Sequence, residues 1–268
     1  QGPWQRGRYF GGLVAFEDTH PNGTTWIAFG GGRHDTTEFY NEIRSSTDNG
    51  ATWTTLRTDG GGLGDNCTNQ TLWSGRVGFG YAYLTDLHRI VLTGGANDTK
   101  NDDVWASDDG GTCWTQLVKN VGVPPSGHQA GALVAARNSA GTEMLLRLGG
   151  YTASGKLNTT LLSLDGGTVW SRVESRGGMA PRSDFALVYC GAPYDYIAVL
   201  GGSDGVVKKN DVWTASVAGL ATAAPTAAPT TAPTAAPTTA PTTAAPTTAP
   251  TAAPTTAPTY PLEQHVDI

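Results

Sequence analysis

Charged residues, methionine and long apolar runs are scarce in this sequence of 268 residues. Only 15% of the residues are charged, and 17 Lys and Arg stand against 23 Asp and Glu. Because no basic stripe is available to neutralise a phosphate backbone, we predict no nucleic-acid partner. No stretch approaches the roughly 18 consecutive apolar residues that a membrane-spanning helix requires, so we predict no membrane span.

Cysteine and histidine are too few and too scattered to indicate a metal centre. The three cysteines allow at most one internal disulfide, and the sequence leaves the pairing of Cys67, Cys113 and Cys190 open. The five histidines have no ligand spacing, and the common hydrolase, phosphate-loop and zinc-protease motifs do not occur. We therefore predict no catalytic residue, no metal, no cofactor and no enzymatic activity.

Glycine and aromatic residues are plentiful up to about residue 217. The chain has 36 Gly and 9% aromatic residues, a mixture that favours many short strands joined by tight turns. The sequence therefore predicts an all-β class, with a globular domain over 1–217 that is followed by a compositionally distinct tail.

An eight-residue pattern, Ser-x-Asp-x-Gly-x-x-Trp, occurs three times, starting at Ser46, Ser107 and Ser163. Ser and Asp side chains can accept hydrogen bonds from the backbone of a turn, Gly supplies a positive φ, and Trp packs at the start of the next strand. The pattern predicts three structural hairpins, whose marker residues are Asp48, Trp53, Asp109, Trp114, Asp165 and Trp170.

A second repeated feature is an apolar run that ends in a glycine pair, at Gly31, Gly95, Gly150 and Gly202. One apolar strand precedes each run and another follows it, so each repeat reads as a four-stranded antiparallel meander. Four such repeats are predicted, covering about 6–58, 76–119, 126–175 and 181–216.

These two motifs resemble known repeats of β-propellers. The glycine pair followed by Asn-Asp-Val-Trp resembles the kelch repeat, and the Ser-x-Asp-x-Gly-x-x-Trp hairpin is similar to the Asp-box of sialidases and sortilin-like propellers. The resemblance covers residues 8–216 and implies an all-β, four-bladed kelch/Asp-box-type β-propeller with an incomplete last blade. It implies no activity, because the Arg-Ile-Pro motif of sialidases and the copper ligands of kelch-type oxidases are absent.

The fourth repeat lacks the hairpin and the outer strand that end the other three. A candidate replacement is the C-terminal segment 260–268, where Leu262, Val266 and Ile268 alternate with polar residues as in a half-buried strand. Three uses of this segment are open: donation to blade four of a neighbouring copy, closure of its own blade, or none, with the tail a simple stalk. Donation would produce a head-to-tail filament.

The linker 218–259 consists mainly of Ala, Thr and regularly spaced Pro. Proline excludes helix, and no residue is large enough to build a core, so we predict an extended polyproline II spacer. Its resemblance to mucin-like stalks implies O-glycosylation, with candidate sites at Thr226, Thr230, Thr234, Thr238, Thr242, Thr247, Thr251 and Thr255.

Five Asn-x-Thr sequons indicate a secreted glycoprotein, at Asn22, Asn66, Asn69, Asn97 and Asn158. A chain that begins at Gln1 fits a processed, mature form. We predict an extracellular or cell-surface structural subunit that associates mainly with itself and carries covalent glycans. The alternative is a carbohydrate- or protein-binding module, with loop aromatics such as Trp73, Tyr40 and Tyr151 as stacking platforms.

Overall fold

A computed structural model describes residues 8–17, 23–32, 38–59, 67, 73–122, 127–175, 178–218 and 220, together with the backbone of 259–260 and 262–265. These residues form strands and no helix, which confirms the predicted all-β class. Four small antiparallel sheets are arranged as a four-bladed β-propeller. None of the described residues belongs to a helix long and apolar enough to cross a bilayer.

Each blade is built from sequence-consecutive strands that pair in order. Blade one contains β1 (Gly12–Glu17), β2 (Thr24–Phe29), β3 (Ile43–Ser46) and β4 (Thr54–Arg57). Blade two contains β5 (Gly80–Leu84), β6 (Arg89–Thr93), β7 (Val104–Ser107) and β8 (Thr115–Val118).

Blade three contains β9 (Ala132–Arg137), β10 (Glu143–Leu148), β13 (Thr160–Ser163) and β14 (Ser171–Ser175), with a small hairpin of β11 (Tyr151–Thr152) and β12 (Gly155–Lys156) between its second and third strands. Blade four contains β15 (Ala186–Cys190), β16 (Tyr196–Leu200) and β17 (Val212–Ser216). Two C-terminal strands, β18 (Thr259–Tyr260) and β19 (Leu262–His265), lie on the outer edges of blades three and four.

The glycine pairs lie where the second strand of a blade ends against the entry to its first strand. Gly95 and Gly150 have φ values of +85° and +92°, which L side chains rarely adopt. A Cβ at these positions would lie 2.9 Å from the Val77 carbonyl oxygen and 2.7 Å from the Gln129 carbonyl oxygen. Glycine is therefore required both by the backbone conformation and by the close approach of the entering chain.

The core consists of three apolar clusters, each lying between two consecutive blades. The cluster between blades one and two contains Phe29 and Leu92, the cluster between blades two and three contains Val91 and Leu145, and the cluster between blades three and four contains Leu148. Each blade in the middle of the series thus packs on both of its faces, which accounts for the runs of buried residues in β6, β7, β10 and β13.

One disulfide joins Cys67, in the connection between blades one and two, to Cys113 in the hairpin between β7 and β8. This pairing resolves the question that the sequence left open. Cys190, at the end of β15, is the free cysteine.

Candidate functional site

The outer edge of blade four is completed by the C-terminal strand. β19 pairs antiparallel with β17, and Leu262 lies opposite Ala215 while Gln264 lies opposite Trp213. Ala215 and Trp213 belong to the cluster between blades three and four, so β19 pairs with a strand that contributes to this cluster. The segment predicted to supply the missing strand therefore occupies the position of a fourth strand.

The pairing lies within the single chain that the structure contains. Leu262 is part of β19, whereas Val266 and Ile268 lie outside the described residues. The linker residues 221–258, with all eight candidate O-glycosylation threonines, also lie outside them. Their assignments remain predictions.

Blade four has no local hairpin because the chain leaves the blade after Ser216. In the other blades the corresponding serine is followed two residues later by Asp, but here that position is Ala218. The Ala218 carbonyl accepts a hydrogen bond from Ser139 Oγ at 2.7 Å, and the Leu220 carbonyl accepts one from Asn138 Nδ2 at 2.8 Å. The chain is thereby held against the turn between β9 and β10 of blade three and directed away from the edge of β17.

The segment that returns touches two blades in succession. β18 pairs parallel with β14, with Thr259 opposite Glu174 and Tyr260 opposite Ser175. β19 then continues along β17 of the next blade. The C-terminal segment therefore spans the outer rims of blades three and four.

The repeated Ser-x-Asp-x-Gly-x-x-Trp segments form turns closed by their own side chains. In the second copy, Ser107 Oγ accepts a hydrogen bond from the Gly111 N–H at 2.9 Å, and Asp109 Oδ1 accepts one from the Cys113 N–H at 2.8 Å. The Trp114 indole N–H donates back to the Gly111 carbonyl at 2.9 Å. The same three bonds recur in the copies at Ser46 and Ser163, where the acceptors are Ser46, Asp48 and Gly50, and Ser163, Asp165 and Gly167.

Hydrogen bonds in the first of these turns lower the pKa of its aspartate, and the three tryptophans differ in how far they are buried. Hydrogen bonds from Thr52, and then from Ser46, hold the pKa of Asp48 at about 2. Trp114 and Trp170 are buried between blades, whereas Trp53 is only half-buried and belongs to none of the three clusters of described residues. All six marker residues therefore belong to structural turns or to packing, and one of them, Asp109, also lines an open cleft.

Arginine–aspartate pairs link blade entries to third strands at the end of the propeller where the glycine pairs lie. Arg76 donates to both carboxylate oxygens of Asp103, at 2.5 and 3.0 Å, and also to the Gly94 carbonyl at 2.9 Å. The Trp105 indole N–H donates to Asp103 at 2.8 Å. This arrangement satisfies a buried guanidinium almost completely, as a charge in a propeller core requires.

Blade four repeats the arrangement with Arg182, Asp211, Gly201 and Trp213. The guanidinium of Arg182 is the largest cause of the low pKa of Asp211, which is about 2. Sequence reasoning used Asn-Asp-Val-Trp only to mark a strand and missed the arginine. The signal was the nearly constant distance, because Arg precedes Asp by 27 residues in blade two and by 29 in blade four.

Blade three departs from this pattern. His128 occupies the position of the arginine, is fully buried, and has no hydrogen-bond partner on either ring nitrogen among the described residues. Burial, and then the neighbouring Arg147, hold its pKa well below the ordinary value, so the ring is neutral. Arg147 instead crosses to blade two and donates to Asp102 at 3.0 Å.

Two of the five predicted N-glycosylation asparagines fall on described residues. Asn97 and Asn158 both lie between the second and third strands of their blades, at the end where the glycine pairs lie. Asn158 is exposed, while Asn97 is half-buried and donates to Ser74 Oγ at 2.9 Å. Asn22, Asn66 and Asn69 lie outside the described residues.

The three aromatic residues predicted as stacking platforms differ in environment. Trp73 is 3% exposed and packs edge-on against Trp114 with ring centroids 4.7 Å apart, so its prediction as a platform is wrong. The guanidinium of Arg8 covers Tyr40 at 3.6 Å. Tyr151 is partly exposed, and the ammonium groups of Lys100 and Lys156 each lie 4.7 Å from its ring centroid.

Two open clefts lie on the described surface. One, of about 420 Å³, lies between blades two and three and includes Lys100 and Asp102. The other, of about 530 Å³, lies beside Tyr83 and Asp109. Within the described ranges, no three His, Cys, Asp or Glu side chains gather closely enough to hold a metal ion.

Comparison with known proteins returned no matching family model and no matching curated protein.

Proposed function

We propose that this chain is an extracellular structural glycoprotein that assembles head to tail, the C-terminal strand of one subunit completing blade four of the next. The observation that carries the proposal is the distance along the chain between β19 and the strand that it pairs with. Blades one to three take their fourth strand from an adjacent hairpin, whereas residues 217–261 separate the third and fourth strands of blade four.

The length of the connection supports donation between subunits. An antiparallel hairpin needs only two to five residues, so closure within the same blade gives no reason for a connection of this length. A Pro-rich segment such as 221–258, in polyproline II form at about 3.1 Å per residue, can reach roughly 120 Å. That distance is several times the length of a blade strand and is sufficient to reach a neighbouring subunit.

The nature of the β17 edge also supports this function. An unpaired edge strand exposes backbone donors and acceptors and readily pairs with another chain. Backbone pairing is the same whether the added strand comes from its own chain or from a neighbour, and it gives affinity without a specialised pocket. Because donor and acceptor lie on different parts of the subunit, the contact is heterologous and generates a filament unless its rotation closes a ring.

We propose that the repeats belong to the kelch and Asp-box types and that the protein is secreted. The side-chain-closed turns at Asp48, Asp109 and Asp165 support the Asp-box interpretation. The disulfide supports an oxidising compartment, as do the sequons, of which Asn158 is exposed. O-glycans on the linker would stiffen it and preserve its reach.

Negative-stain electron microscopy of the purified full chain, paired with size-exclusion chromatography, tests assembly. We expect filaments from the full chain and monomers from a variant that lacks residues 260–268. Glu263→Pro and Gln264→Pro are matched variants, because in an antiparallel pair only one of two consecutive N–H groups points at β17. One of them should abolish filaments and the other should retain them.

Two results would contradict the proposal. The first is a full chain that remains monomeric up to about 100 μM, since β19 would then serve its own blade. The second is filaments that persist without 260–268, since assembly would then use another surface. Adding excess peptide of sequence 259–268 to the truncated variant is a further check, because the peptide should bind to the open edge of β17 as monomeric complexes.

A binding module is the second candidate function, favoured by Tyr151. Its ring, flanked by two ammonium groups, suits a sugar or peptide that carries a carboxylate or sulfate group. A glycan array with the wild type and Tyr151→Ala tests this function. Binding to acidic glycans by the monomer, and its loss in the variant, would favour the module over the filament.

A further inference from the structure

Among the described residues, the first and last blades each have one sheet face that no other blade covers. The three apolar clusters fill the interfaces between blades one and two, two and three, and three and four. No cluster of described residues joins blade four to blade one. A propeller whose successive blades pack through apolar faces therefore presents two such faces at the ends of its series.

On the uncovered face of blade four, side chains are exposed at positions where the equivalent side chains of preceding blades are buried. Leu200 directly precedes the glycine pair of its blade, as Leu148 does in blade three, yet Leu200 is 42% exposed and Leu148 is fully buried. Val188 lies opposite Ala198 in the same register in which Val14 lies opposite Ile27. Val14 is buried, but Val188 is 47% exposed.

On the uncovered face of blade one, side chains are exposed at positions where the equivalent side chains of blade two pack on the blade before it. Leu13 and Ala15 of β1 are exposed, whereas the residues in the same register of β5, Tyr81 and Tyr83, pack against the cluster between blades one and two. Leu13 is 47% exposed. The face of blade one that follows no blade is thus equivalent to the faces by which blades two, three and four pack on their predecessors.

We propose that the free face of blade four binds the free face of blade one of a second copy of this chain. The two faces are consecutive members of one repeating series, so a second copy continues the packing that joins blades one to four. The face on blade four also borders the edge that β19 pairs with, because Val212 and Thr214 of β17 share its side of the sheet. The inference deepens the proposed function by naming the surface that joins two subunits beside the donated strand.

The repeat register identifies one contact across this interface. Phe16 of blade one stacks on Tyr83 of blade two, with ring centroids 4.5 Å apart. Cys190 occupies the position of Phe16 in blade four, and Ala15 occupies the position of Tyr83 in blade one. The free thiol of Cys190 should therefore lie against Ala15 of the neighbouring copy.

Disulfide trapping in the full chain tests this contact. Ala15→Cys should join to Cys190 of another copy under mild oxidation, because the first strands of consecutive blades approach closely, as β1 and β5 do, and the side chains at the equivalent positions, Phe16 and Tyr83, touch. We expect a ladder of dimers and higher species on a non-reducing gel, and its loss on reduction or with Cys190→Ser. Ala153→Cys, an exposed substitution in the small hairpin of blade three, is the matched control and should give no ladder above background.

Two outcomes would overturn the inference. Equal cross-linking by Ala15→Cys and Ala153→Cys would mean that the faces do not meet. A monomeric product with neither thiol free would mean that blade four closes on blade one of its own chain. The same sample is imaged for filaments. Filaments without cross-links would refute the face contact and leave strand donation intact. Cross-linked oligomers without filaments would support the face contact and refute strand donation.

A charge substitution gives an independent readout. Val188→Asp lies on the proposed face, while Val169→Asp lies in the hairpin before β14, and the two valines are 47% and 46% exposed. Because both side chains are about half exposed in the single chain, a carboxylate at either position can reach water, and the two substitutions should change the thermal unfolding of the monomer to a similar, small extent. Val188→Asp should raise the assembly concentration at least tenfold relative to Val169→Asp, and equal values would refute the contact.

Discussion

Substituting the leucines at equivalent positions in blades three and four shows, through the loss of stability, whether each leucine lies in an interface of the folded chain. Leu148 and Leu200 each precede a glycine pair, but Leu148 is fully buried and Leu200 is 42% exposed. Leu148→Ala removes apolar surface from a packed core and leaves a cavity, for which about 3 kcal/mol of lost unfolding free energy is expected. Leu200→Ala removes a side chain that is already 42% exposed, so the loss should be smaller, about 1 kcal/mol.

Urea unfolding followed by tryptophan fluorescence measures both values, since Trp213 lies in the cluster next to Leu148. At a protein concentration below the onset of assembly, the midpoint of Leu148→Ala should fall well below that of the wild type, while the midpoint of Leu200→Ala should stay closer to it. At a concentration where subunits associate, Leu200→Ala should lose part of the stabilisation that association gives the wild type.

One result would refute the reasoning behind the open faces. If Leu200→Ala costs as much as Leu148→Ala, and if the cost does not depend on protein concentration, then blade four is already covered within a single chain. Val199→Ala is a control for blade four itself. Val199 is fully buried in the cluster between blades three and four, so its replacement by Ala should be strongly destabilising at any protein concentration.

Three further predictions concern the stability of the propeller. Trp114→Ala should cost about 4 kcal/mol in urea unfolding, because the indole is fully buried and its N–H closes a turn. The low pKa of Asp211, about 2 against an ordinary 3.8, means that its stabilisation is present above pH 4 and lost as the pH falls towards 2. Asp211→Asn should therefore destabilise at pH 7 and flatten the loss of stability between pH 4 and 2, as followed by circular dichroism. Replacing Cys67 and Cys113 by Ser should lower the unfolding free energy by about 4 kcal/mol, the loop entropy for their separation of 46 residues, measured by urea unfolding against the wild type.

The local parts of this fold could be predicted from the sequence. The turns at Asp48, Asp109 and Asp165 depend on residues within four positions of each other, and the glycine pairs mark a backbone conformation that few other residues adopt. Counting the strands that these signals delimit also predicted that the last blade lacks one, and it made 260–268 a candidate for the missing strand. The structure places Leu262–His265 in that position.

The contacts between distant residues could not be predicted in the same way. Arg76 and Asp103 come together only because the first and third strands of a blade meet at the same end, and no short pattern contains both. The partner of Cys67 depended on the path of the connection between blades one and two. Trp73 was expected on the surface because it lies in a loop, but apolar burial between Trp105 and Trp114 outweighs its position in the chain.

The incompleteness of blade four involves both its edge and its face, and the two need different kinds of partner. The edge of β17 requires backbone groups, which any extended segment supplies, so a strand on a long linker can find it with little constraint on side chains. The face around Val188 and Leu200 requires an apolar surface, and a blade equivalent to those of this chain offers one, as blade four does to blade three. Strand pairing alone would leave adjacent subunits free to rotate about the linker. In the proposed assembly, packing of blade four on blade one would fix their orientation, and the two contacts together would give the filament both reach and a defined geometry.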